Sequence, residues 1–103
     1  MVKIVPIPIT SSVTAGTEID ISSYVHEDIY KIVSAYLFTG SDGTAAASWT
    51  TLTLTDDGLL TTTSPGAGEI ALTGRRAITL GSDTTGREIL ILQYLPATET
   101  LKV

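Results

Sequence analysis

Ser48-Trp-Thr-Thr-Leu-Thr-Leu-Thr-Asp-Asp-Gly58 alternates threonine with leucine and then halts at an aspartate–glycine turn. A period of two places hydroxyls on one face of an extended chain and isobutyl groups on the other, the pattern of a half-buried antiparallel strand. Outward from this stretch the same punctuation recurs, with turn-forming clusters at Ser41-Asp-Gly43, Ser64-Pro-Gly66, Thr73-Gly74 and Ser82-Asp-Thr-Thr-Gly86. Between them lie extended runs at 46–55, weakly at 59–63, and at 69–73, 76–80 and 87–95. Short strands at such spacing, without a long helical period, predict an all-β chain folded as a single antiparallel β-sandwich or small barrel. Arg87-Glu-Ile-Leu-Ile-Leu-Gln-Tyr-Leu95 is apolar on both faces, which makes it the candidate central strand, with Pro96 ending it.

The chain opens on Met1-Val-Lys-Ile-Val-Pro-Ile-Pro-Ile9. Pro6 and Pro8 fix φ and remove two backbone donors, so residues 1–10 read as an extended N-terminal arm or an edge strand, never a central strand. Residues 11–103 then form one β domain. Ile19 and Ile21 share a face against Glu18 and Asp20, giving a short strand. Ser22-Ser-Tyr-Val-His-Glu-Asp28 fits one helical turn capped by Ser22 or Ser23. Residues 29–39 satisfy two patterns. Ile29, Ile32, Val33, Tyr36 and Leu37 make a helical stripe, whereas Tyr30, Ile32, Tyr36 and Phe38 make a strand face; the β-branched and aromatic content favours the strand.

With 103 residues there is room for one domain, and 43% hydrophobic content supplies its core. Eleven acidic against six basic residues leave a net charge of −5, which repels a phosphate backbone and argues against nucleic-acid binding. Cysteine is absent, so disulfides and thiolate metal sites are excluded. The prolines interrupt the apolar start, which lacks the form of a signal peptide, and no run approaches the ~20 apolar residues of a membrane span.

Candidate chemistry is sparse. Gly66-Ala-Gly-Glu-Ile-Ala71, with Glu88 downstream, matches a glycine-rich dinucleotide fingerprint in letters only, since neither a buried strand before it nor a helix after it is predicted. His26 lies near Ser22, Ser23 and Asp28 in one short loop, without the convergence of a hydrolase triad, so no catalytic residue is assigned. Asp42, Asp56, Asp57 and Asp83 stand beside glycines as turn formers rather than calcium ligands, and neither a metal nor a cofactor is expected. Arg75 and Arg76 read as solvated hairpin residues. Trp49, with Tyr24, Tyr30, Tyr36 and Tyr94, would suit a sugar-stacking platform, but a domain of this size is expected to spend its one tryptophan on the core.

The prolyl arm, Glu18-Ile-Asp-Ile-Ser-Ser-Tyr-Val25, the Asp42-Gly and Asp56-Asp-Gly turns and the Ala71-Leu-Thr-Gly…Ile-Thr-Leu-Gly81 hairpin together resemble the small all-β virion proteins of tailed phages, particularly head-decoration (capsid cement) proteins. The resemblance is one of style over most of the chain. It implies a non-enzymatic protein on the capsid surface of a virion, made in the host cytoplasm, homo-oligomeric with a trimer preferred, and bound to the major capsid protein. It leaves open a tail or head-tail joining component; a carbohydrate-binding β-sandwich module is the rival reading from the residues themselves. Neither nucleic acid, membrane nor small-molecule ligand is expected as a partner. The expected partner-binding residues are Ile4, Val5, Pro6, Ile7, Pro8 and Ile9, because an apolar arm barred from the sheet interior gains by extending a sheet on another subunit.

Overall fold

A computed structural model describes residues 1–41, 43 and 46–97. Seven strands follow in chain order: β1 (Lys3–Ile9), β2 (Glu18–Asp20), β3 (Ile29–Thr39), β4 (Ser48–Leu54), β5 (Glu69–Gly74), β6 (Ala77–Leu80) and β7 (Glu88–Pro96). Strand covers 52% of the described residues, roughly twice the share in an average globular protein, which settles the class as all-β. Residues 29–39 are strand throughout. The predicted turn after Ile21 is present, with the Val25 amide donating to the Ile21 carbonyl at 2.9 Å. Its cap is Asp20, whose carboxylate accepts from the Ser22 amide, in place of Ser22 or Ser23.

All seven strands join one sheet in the order β1-β7-β3-β4-β5-β6-β2. The sheet is mixed, which corrects the purely antiparallel expectation: β4 and β5 pair in parallel through Thr53↔Glu69 and Leu54↔Ile70. A parallel pair needs a crossover of about a dozen residues or more, and the stretch 55–68 supplies it. Local turn signals cannot foretell such a crossover.

The sheet curls into a half-barrel, and among the described residues no separate second sheet stacks on it. One core fills the hollow, drawing Ile7 and Ile9 from β1, Leu90 and Leu92 from β7, Ile32 and Ala35 from β3, and Ile70, Leu72 and Ile78 from β5 and β6. Two register shifts in β3 against β7, at Ile29/Lys31 and Ile32/Ser34, add the local twist that a bulge brings. Here β3 leaves β4 and instead bridges Leu59, while Leu60 bridges Leu72. The turn at Thr55–Gly58 that delivers Leu59 holds Asp56, Asp57 and Gly58 at positive φ. Gly58 also lies against β3, where a Cβ would meet the Ile32 carbonyl oxygen at 2.1 Å, so only glycine fits.

The expected arm is therefore the first strand of the sheet. It pairs with β7 along its whole length, from Lys3↔Tyr94 to Ile9↔Glu88. Sequence had allowed an edge strand, and the prolines show why β1 stays at the edge. The Gly40 amide donates to the Arg87 carbonyl, so the pairs Phe38↔Ile89 and Tyr36↔Ile91 are hydrogen-bonded and the alternate residues of β7 turn their backbones to β1. Val5, Ile7 and Ile9 accordingly bond β7, and Pro6 and Pro8 face away from it, where no donor is needed.

Candidate protein-interaction face

The register aligns outward-facing residues into rows across β1, β7, β3 and β4. One row is Pro8, Ile89, Phe38 and Trp49. The next is Pro6, Ile91, Tyr36 and Thr51. A third holds Ile4, Gln93 and Ser34, with the Ser34 hydroxyl donating to Gln93 Oε1 at 2.8 Å. Each side chain points out because its neighbours along the strand point into the core, as in β7, where Leu90 and Leu92 are fully buried and Ile89 is 39% exposed. None of these positions is charged, although the chain carries 17 charged residues.

Trp49 is 65% exposed, which overturns the expectation of a core tryptophan. Its strand partner Phe38 holds it from the side, with ring centroids 4.9 Å apart and planes tilted by 55°. The reason is parity: Leu52 and Leu54 claim the inner face of β4, and Trp49 lies an odd number of residues from both.

The residues expected to bind a partner divide. Ile7 and Ile9 are buried in the chain's own core, Val5 is half-buried against it, and Ile4, Pro6 and Pro8 face outward. An arm reading could not separate them, because only the register with β7 fixes which face is inner. The face itself was legible in part, since Ile89 and Ile91 make β7 apolar on both sides.

Neither of the two end strands, β1 and β2, offers a ready ladder for another strand. The outward side of β1 has lost its donors at Pro6 and Pro8, and β2 is three residues long with Glu18 and Asp20 exposed. The start of β1 is tied to the loop before β3: Lys3 Nζ donates to Glu27 at 2.6 Å and the Tyr94 hydroxyl to the same oxygen at 2.9 Å. The Lys3 and Tyr94 hydrogen bonds hold the Glu27 carboxyl below the ordinary carboxylate range.

The other candidates take structural places. His26 is exposed and lines neither of two hollows, one of about 500 Å³ bounded by Tyr30, Lys31, Ile32, Val33, Leu54, Asp57 and Leu59, the other of about 260 Å³ among threonines of 61–63 and Thr73 and Thr79. Among the described residues no group of three or more histidine or acidic side chains gathers to hold a metal. Asp56 accepts from the Thr61 hydroxyl and Asp83 from the Ala15 amide, while Asp42 lies outside the described residues. Gly66 and Gly68 lead into β5 rather than a helix, and Glu69 folds back to accept from the Gly66 amide at 2.5 Å. Arg75 and Arg76 are more than solvated: Arg75 donates to the Ile29 carbonyl and Arg76 pairs with Asp28.

Comparison with protein-family models, with curated proteins and with solved structures found no match.

Proposed function

We propose that the protein is a non-enzymatic virion structural protein of a tailed phage, a capsid-decorating (cement) protein that binds the major capsid protein lattice as a homo-oligomer. The observation that carries this reading is the uncharged outer face, with Trp49, Ile4, Ile89 and Tyr36 exposed together on a chain of net charge −5. Contiguous apolar surface on an otherwise acidic molecule marks a place where another protein sits. Ile4, Pro6 and Pro8 belong to that face, so the first strand still contributes to the contact, through side chains rather than as a free arm.

The test is to localise the protein in purified virions of the source phage by mass spectrometry and immunogold labelling, then to add it back to heads that lack it. Gold on the head and saturable rebinding are expected. Gold on the tail or at the head-tail joint would move the protein to a joining role, and its absence from virions would end the proposal.

A carbohydrate-binding module is the second reading, favoured by the exposure of Trp49 beside Phe38 and Tyr36. The 55° tilt between Trp49 and Phe38 denies a sugar one flat platform. Quenching of Trp49 fluorescence by oligosaccharides would support it over the virion role.

A further inference from the structure

We infer that Thr98-Glu-Thr-Leu-Lys-Val103, the six residues that follow the described ones, dock on their own chain in the cleft of about 500 Å³ beside the start of β3. The cleft shares no residue with the face that carries the virion reading, and its occupant does not depend on that reading. It opens because β3 shifts register twice against β7 and pairs with β4 no further down than Ala35↔Leu52, leaving the turn at Thr55–Gly58 and Leu59 to lie alongside. Val33, Leu54 and Leu59 line it around the fully buried Ile32, and Val33 and Leu59 are 37% and 40% exposed. Lys31 and Asp57 also border it, and neither has an ion-pair partner among the described residues.

Reach, order and charge select the occupant. Pro96 pairs with Ile29 and the Ala97 amide donates to the Asp28 carbonyl at 2.9 Å, so the chain leaves β7 beside the first residue of β3. Val33, at the far end of the cleft, is five positions on from Asp28. That is at most about 17 Å, and six extended residues span about 20 Å. Leu59 bridges Lys31 in the antiparallel sense and Gly58 lies against Ile32, which brings Asp57 to the Val33 end. A chain arriving from Asp28 thus meets a cation, then apolar walls, then an anion. The tail presents Glu99, Leu101 and Lys102 in that order, so Glu99 reaches Lys31, Leu101 covers Val33 and Leu59, and Lys102 reaches Asp57. So small a contact would not hold a free peptide, but a tethered one is present at an effective concentration of about millimolar order and is spared the loss of translational freedom. The same tether favours the chain's own tail over that of another copy in micromolar solution.

Because the chain has no cysteine, Thr100→Cys gives a single site for a nitroxide spin label on the full-length protein. In an amide-resolved nuclear magnetic resonance spectrum the label should broaden the signals of Val33, Leu54 and Leu59, and the same spectrum reports that each variant is folded. Lys31→Glu should reduce that broadening about two- to fivefold, the range an exposed ion pair commands, and adding Glu99→Lys to Lys31→Glu should restore it. Spin-labelled chains without nitrogen-15, mixed with unlabelled nitrogen-15 chains, separate one chain's tail from another's. No broadening is expected in the mixture, and dilution should leave the broadening within one chain unchanged. Broadening confined to the surroundings of Asp28 and Ile29, a charge reversal without effect or without rescue, or broadening carried over into the mixture would each overturn the docked tail.

Discussion

Glu88 is 5% exposed at the start of β7, yet it is held as an ion by its own turn. Its carboxylate accepts from the amides of Thr85, Gly86 and Arg87 and from the Thr85 hydroxyl at 2.9–3.1 Å. Burial pushes its pKa up, but these hydrogen bonds outweigh that and leave it below the ordinary value. A depressed folded-state pKa contributes stability above the unfolded value, near 4.3, that is lost as pH falls through the folded one. Glu88→Gln should therefore cost about 1–3 kcal/mol in denaturant melts at neutral pH, and the gap to wild type should close below about pH 4. Tyr94 carries the opposite sign. Burial first, and the Glu27 carboxylate second, push its hydroxyl up to about 12. Its contribution is complete below the unfolded value near 10 and fades as pH rises toward 12. Ultraviolet titration, with Tyr94→Phe to assign the transition, should show Tyr94 ionising earlier in Glu27→Gln.

At the scale of elements, β1 decides between an arm and a strand. An arm could be removed without harm to the domain, whereas β1 carries Ile7 and Ile9 into the core and pairs with β7 throughout. Each buried isoleucine is worth about 1.5–3 kcal/mol at the upper limit, a large share of the 5–15 kcal/mol that holds a domain. Deleting residues 1–9 should abolish the cooperative melt rather than merely weaken association, as circular dichroism would record. Full retention of the melt would restore the arm. Replacing Pro6 and Pro8 by valine should leave the fold intact and return outward donors to the edge, so static light scattering should show edge-to-edge aggregation that wild type lacks.

For the whole molecule, the sheet order sets the folding problem. The first strand must find the last, and β2 must find β6, so the contacts are non-local and the chain should refold on the millisecond-to-second scale of all-β domains. Stopped-flow Trp49 fluorescence measures this, and microsecond refolding would contradict it. The sequence alone determined what is local: the all-β class from the Thr–Leu alternation, six of the seven strands and their turns from glycine and aspartate, the edge character of β1 from Pro6 and Pro8, and the two-faced β7. For β3 the apolar residues satisfy both the helical and the strand period, and only the β-branched and aromatic content tipped it to the strand that the structure shows. Only the tertiary structure decided the parallel join of β4 to β5, the single curled sheet, and the split of residues 4–9 into core and outer face. Those depend on which strand lies beside which, and a register is fixed by pairing partners far away in the chain. Trp49 shows the same limit, since alternation set its side of β4 and only the fold of the sheet made that side the outer one.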